Sequence, residues 1–80
     1  MNKVFIEESI LEKIEKKWLL KQYEKIESLL KEWKLKSVDF KLIQPKSEKI
    51  YYFKINKQYR LWCKYFNNEI KIFYFDNHSY

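Results

Sequence analysis

The apolar positions change period along the chain. Lys3 to Ile6 reads as a short first strand, and from Ile10 to about Leu35 apolar residues recur at helical spacing: Ile10, Ile14 and Trp18, then Leu19, Tyr23, Ile26, Leu30 and Trp33. At its head, Ser9-Ile10-Leu11-Glu12 forms a capping-box pattern with Ser9 as N-cap. Glu12–Lys16 and Glu27–Lys31 are exposed i,i+4 pairs in the favourable order. An unbroken helix of ~26 residues would extend ~39 Å. A chain this short folds to a radius of gyration of only about 12 Å. Trp18, Leu19 and Leu20 in succession also point three ways around a helix. A tight bend is therefore expected near Lys17–Leu20, giving a helical hairpin without Gly or Pro to mark it. Residues 36–49 are irregular, punctuated by Pro45 and Ser47, and Asp39-Phe40-Lys41-Leu42-Ile43 reads as either a short edge strand or an ordered loop.

Beyond Lys49 the pattern turns strand-like, in three runs joined by tight turns. Asn67-Asn68 suits a two-residue type I′ turn, because Asn tolerates positive φ. That turn pairs Phe66 with Glu69, Cys63 with Ile72, Trp62 with Phe73, Leu61 with Tyr74 and Arg60 with Phe75. A two-residue loop at Asn56-Lys57 would set Lys54 among the core positions, at a cost of several kcal/mol for an unpaired buried charge. A three-residue loop, Asn56 to Gln58, is preferred. It pairs Ile55 with Tyr59 and gathers Tyr51, Phe53, Ile55, Leu61, Cys63, Ile72 and Tyr74 against the helices. The opposite face then carries Tyr52, Lys54, Arg60, Trp62, Lys64, Lys71, Phe73 and Phe75.

That face sets Lys54 opposite Arg60 and Lys64 opposite Lys71. Like charges opposed across strands destabilise a sheet, so two such pairs imply an anion to be bound. The interleaved aromatics offer stacking platforms worth ~1–3 kcal/mol per base. Charge distribution agrees. Residues 1–34 hold 8 Lys against 7 Glu, while residues 35–80 hold 8 Lys and Arg60 against Asp39, Glu48, Glu69 and Asp76. The excess lies on the sheet half, where RNA or an acidic protein would meet it. The simpler reading is a lysine-rich composition whose aromatics only cover the sheet. With no glycine and a single arginine among 17 cationic side chains, Arg60 stands out, since Lys cannot copy its bidentate fork.

Eighty residues, 46% of them apolar and 20% aromatic, make one domain over residues 1–80 with material for one core. Disorder is excluded on that composition. A single cysteine excludes an internal disulfide and a cysteine-based metal site, as suits a reducing cytoplasm. No run approaches the apolar length of a membrane span, and no signal-peptide pattern opens the chain. There is no linker, repeat or low-complexity segment.

Phe53-Lys54-Ile55-Asn56-Lys57-Gln58-Tyr59-Arg60-Leu61-Trp62-Cys63, with Asp76-Asn77-His78, resembles the RelE/HigB family of bacterial toxins. The HigB branch reads roughly I-R-I-N-D-Q-W-R-I-C-F in its middle strands and closes on Asp-x-His. Its usual Asp-Tyr-His is Asp76-Asn77-His78 here, and its Leu-Lys-Gly segment is unmatched at Ile43-Gln44-Pro45. The resemblance implies an α+β fold ordered β-α-α-β-β-β, a helical hairpin on one face of a small antiparallel sheet. It implies a toxin that cuts mRNA in the ribosomal A site, needs no metal or other cofactor, and is held by an antitoxin through which the complex binds DNA.

Arg60 would then grip the scissile phosphate, as a planar, permanently charged donor fork. His78, the chain's one histidine, would serve as acid or base. Asp76 would orient His78 or accept a proton. Trp62, Phe73 and Tyr80 are candidates to stack on bases, and Lys54, Lys64, Lys71, Lys46 and Lys49 to hold phosphates. Cys63 faces the core in this register and reads as packing, not as a nucleophile. The alternatives are a ParE-like inhibitor of DNA gyrase and a non-catalytic RNA- or protein-binding module of the same fold.

Overall fold

The computed structural model describes residues 2–43 and 48–77. Five strands, β1 (Lys3–Ile6), β2 (Lys41–Leu42), β3 (Ile50–Lys54), β4 (Tyr59–Phe66) and β5 (Glu69–Asn77), form one sheet in the order β1-β5-β4-β3-β2. Helices α1 (Glu8–Lys16) and α2 (Leu20–Lys31) and a 3-10 turn, Leu35–Val38, lie between β1 and β2. The class is α+β, but the expected all-antiparallel β-α-α-β-β-β order needs two corrections. A two-residue edge strand, β2, is added, with Lys41 opposite Tyr52 and Leu42 opposite Tyr51. The sheet is also mixed, because β1 runs parallel to β5, Lys3 facing Glu69 and Ile6 facing Ile72.

Asn2 gives the physical reason for the parallel strand. It is buried, its backbone N–H donates to Lys31 O (3.1 Å) and its Nδ2 to Leu30 O (2.9 Å). Its Oδ1 accepts from the Tyr65 hydroxyl (3.2 Å), and the next N–H, of Lys3, donates to Asn68 O (2.8 Å). The start of β1 is thus pinned between the end of α2, whose last carbonyls need donors, and the β4–β5 turn. From there the strand can only run alongside β5.

The bend falls at Lys17–Leu19, and both helices end in the same way. Trp18 N–H donates to Glu15 O and Leu19 N–H to Ile14 O (3.0 and 3.1 Å). Likewise Trp33 N–H donates to Leu30 O and Lys34 N–H to Leu29 O (3.4 and 2.9 Å). These are Schellman pairs, which require a left-handed residue just past the helix. Glycine usually fills that place. This chain has none, and Trp18 (φ 60°) and Trp33 (φ 65°) take it, each at a cost of roughly 1–2 kcal/mol. The second motif ends α2 at Lys31, short of Leu35. At the other end α1 starts at Glu8, and the Ser9 capping box does not form. With β1 ending at Ile6, the turn into the helix falls on Glu7, whose carbonyl accepts from the Ile10 and Leu11 N–H groups.

The core lies between helices and sheet: Ile10, Ile14, Tyr23 and Leu30 meet Phe53, Leu61, Cys63, Ile70 and Ile72. Burial, assisted by the Glu27 carboxylate to which its hydroxyl donates (2.7 Å), raises the Tyr23 phenol above its ordinary range. Burial alone pushes the Cys63 thiol up to about 12, which keeps it protonated and unreactive.

Candidate nucleic-acid interface

The β3–β4 loop is Asn56 to Gln58. The Asn56 Oδ1 accepts the N–H groups of Gln58 and Tyr59 (both 2.8 Å), and Ile55 N–H donates to Tyr59 O (3.0 Å). Lys54 therefore faces Arg60, and Phe53 faces Leu61. At the other turn Asn67 and Asn68 both take positive φ, and Phe66 pairs with Glu69, Lys64 with Lys71 and Cys63 with Ile72.

Past that point the expected register fails. The ladder slips at Trp62/Cys63, so that Trp62 faces Tyr74, Leu61 faces Phe75 and Arg60 faces Asp76. Phe73 is the extra residue of a β-bulge, and every side chain after it changes face. Tyr74, expected in the core, is 51% exposed and meets Trp62 edge-on, with ring centres 5.8 Å apart. Phe75, expected on the open face, packs against the core and lies 5.1 Å from the Tyr59 ring. The physical reason is that an aromatic on each side satisfies both faces: Phe75 fills the core beside Leu61, while Tyr74 keeps its hydroxyl toward water.

Because Leu61 and Cys63 are fully buried, Arg60, Trp62 and Lys64 face away from the helices. The open face is arranged in cross-strand rows. One row is Lys54, Arg60 and Asp76, and the next is Lys41, Tyr52, Trp62 and Tyr74. A third is Ile50, Lys64, Lys71 and Phe5. The Arg60 guanidinium carbon sits 5.1 Å from the Tyr52 ring centre, a cation–π contact that holds the fork against the sheet. Arg60 Nε and Trp62 Nε1 are buried donors with no hydrogen-bond partner among the described residues. The ion pairs found there are Lys31–Glu27, Lys34–Glu32, Lys41–Asp39 and Lys71–Glu69. None joins Arg60 to Asp76.

Beside the third row lies a groove of about 730 Å³, lined by Phe5, Ile6, Ile50, Ile72 and Phe73 with Lys64, Lys71 and Glu7. The structure thus gathers Lys54, Arg60, Trp62, Lys64, Lys71, Phe73 and Asp76 on one face. Lys49 is not gathered with Arg60: it precedes β3 at the far end of the sheet, its Nζ 4.6 Å from the Phe66 ring centre. Lys46, His78 and Tyr80 lie outside the described residues. Sequence reasoning missed Tyr74, Phe5 and Lys41 as members of this face. The alternation of Lys3-Val4-Phe5-Ile6 was the available signal for Phe5.

A small α+β protein with a basic, aromatic open sheet face is what the fold defines. Residues 5–78 match the family described as RelE-like toxin of type II toxin-antitoxin system HigB. The chain belongs to this family of HigB-like toxins. An uncharacterized protein of Haemophilus influenzae is 54% identical over 39 residues, which are 49% of this chain and 39% of that relative. Among the described residues no helix is long and apolar enough to cross a membrane.

Proposed function

We propose that this chain is a single toxin domain acting in the cytoplasm as a metal-independent endoribonuclease, cutting mRNA in the ribosomal A site and thereby stopping translation. The observation that carries the reading is the cross-strand pairing of Arg60 with Asp76 on an open basic face. Two buried donors without a partner among the described residues, Arg60 Nε and Trp62 Nε1, stand beside it. Left unmade, such hydrogen bonds cost about 1–3 kcal/mol each, and a phosphate oxygen would supply an acceptor.

In the chemistry this supports, the ribose 2′-oxygen attacks phosphorus as the P–O5′ bond breaks, leaving a 2′,3′-cyclic phosphate and a 5′-hydroxyl. Arg60 donates to the non-bridging oxygens as their charge grows. Asp76 and His78 share the proton transfers, one taking the 2′-hydroxyl proton and the other delivering a proton to the leaving oxygen. Lys54, Lys64 and Lys71 hold flanking phosphates, and Trp62, Phe73 and Tyr80 stack on bases. Lys46 and Lys49 are phosphate contacts of lower specificity. The antitoxin covers the open face and carries any DNA binding of the complex.

The test is purified protein with ribosomes programmed with a defined message, in chelator. Cleavage within the A-site codon is expected. Intact message, together with inhibition of DNA gyrase supercoiling, would replace this reading with the ParE-like one.

A further inference from the structure

Trp18 is 91% exposed, the most exposed large hydrophobic residue described. It also sits at φ 60°, where a bulky side chain is disfavoured. The indole therefore gains almost nothing inside the fold while its backbone is strained, a combination that calls for an outside partner. Lys21, Leu20 and Glu15 line the surface beside it, and Lys16 and Lys17, just before it in the chain, are exposed. Protein-binding patches are depleted in lysine, whereas a stacking ring among lysines is the make-up of a surface for single-stranded nucleic acid.

Its position adds direction. The Lys17 Nζ lies 5.8 Å from the ring centre of Tyr59, which precedes Arg60 and faces Asn77 across the ladder. Tyr59 is buried on the helix side. The tip of the helical hairpin therefore lies at the end of the sheet that bears the Lys54–Arg60–Asp76 row but on the other face, and a strand touching both must pass around that end.

We propose that Trp18 is a second contact for the substrate RNA, stacking on a base of the message strand beyond the scissile phosphate while Lys17 and Lys21 hold its backbone. The proposal rests on the endonuclease reading for the identity of the strand. Asn tolerates the left-handed backbone, so Trp18→Asn removes the ring without straining the turn.

Binding of a labelled single-stranded RNA of about twelve nucleotides, without ribosomes, is measured by fluorescence anisotropy. Trp18→Asn is expected to weaken it roughly five- to hundredfold, Trp18→Leu to match Trp18→Asn, and Trp18→Phe to retain most of the affinity. On ribosomes KM should rise while kcat holds. Wild-type affinity in Trp18→Asn, or full affinity in Trp18→Leu, overturns the proposal. So does loss of a co-purifying protein partner with RNA affinity intact. Trp18-dependent RNA binding without any cleavage on ribosomes would overturn only the endonuclease reading, so the two failures are distinguishable.

Discussion

The two faces of this sheet are made from alternate residues of the same strands, yet they are built to different ends. On the helix side Phe53, Leu61 and Cys63 are fully buried and need nothing further. On the open side their neighbours Lys54, Arg60, Trp62 and Lys64 bring like charges into opposition, Lys54 with Arg60 and Lys64 with Lys71, and leave the buried donors Arg60 Nε and Trp62 Nε1 without acceptors among the described residues. One face is closed by the helices in the folded chain, and the other is left open, to be filled by RNA on the reading proposed above. Substitutions one residue apart should therefore separate stability from activity.

The largest expected effect belongs to the proposed proton transfers. His78→Gln should lower ribosome-dependent cleavage by roughly 10²–10⁴ and flatten the pH–rate profile near neutrality, with ribosome binding and melting temperature retained. Wild-type cleavage would move the proton transfers to Asp76 or a lysine. Next comes the covered face. Leu61→Ala, adjacent to Arg60, should cost about 2–5 kcal/mol in denaturant unfolding while its folded fraction still cleaves. A loss under 1 kcal/mol would show that the strand does not bury this position.

A smaller, pH-dependent effect belongs to Cys63. Its thiol, ordinarily near 9.0, is held up at about 12, so above pH 9 the unfolded chain gives up this proton first. Its contribution to stability is full below about pH 9 and falls by up to ~1.4 kcal/mol per pH unit toward 12. Cys63→Ala should remove that fall between pH 9 and 10, leaving the later one from the raised Tyr23 phenol. An unchanged pH profile would mean that the thiol is solvated.

The sequence carried most of the frame and part of the site. β1, the bend between the helices, the Asn67-Asn68 turn and the three-residue loop were legible because each has a local cause: a period change, three consecutive large apolar residues, an asparagine pair, or the cost of burying Lys54. The bulge was not legible. Ile72-Phe73-Tyr74-Phe75 is apolar throughout, and parity cannot be read where polar and apolar residues do not alternate. Yet this one extra residue sets Asp76, not Phe75, across from Arg60. The helix ends were obscured because tryptophan stands where glycine would mark a Schellman turn. The mixed sheet was missed because its cause is long-range, through the hydrogen bonds of Asn2 to α2.

The measurement closest to the central claim is ribosome-dependent cleavage by Arg60→Lys, read beside its melting temperature. The substitution keeps the charge and removes the planar fork. If Arg60 grips the phosphate as charge develops on it, the rate should fall on the order of a hundredfold or more, about 3–4 kcal/mol of barrier, with melting unchanged. Full activity in Arg60→Lys would contradict the account, because the open face would then hold no group specific to cutting RNA.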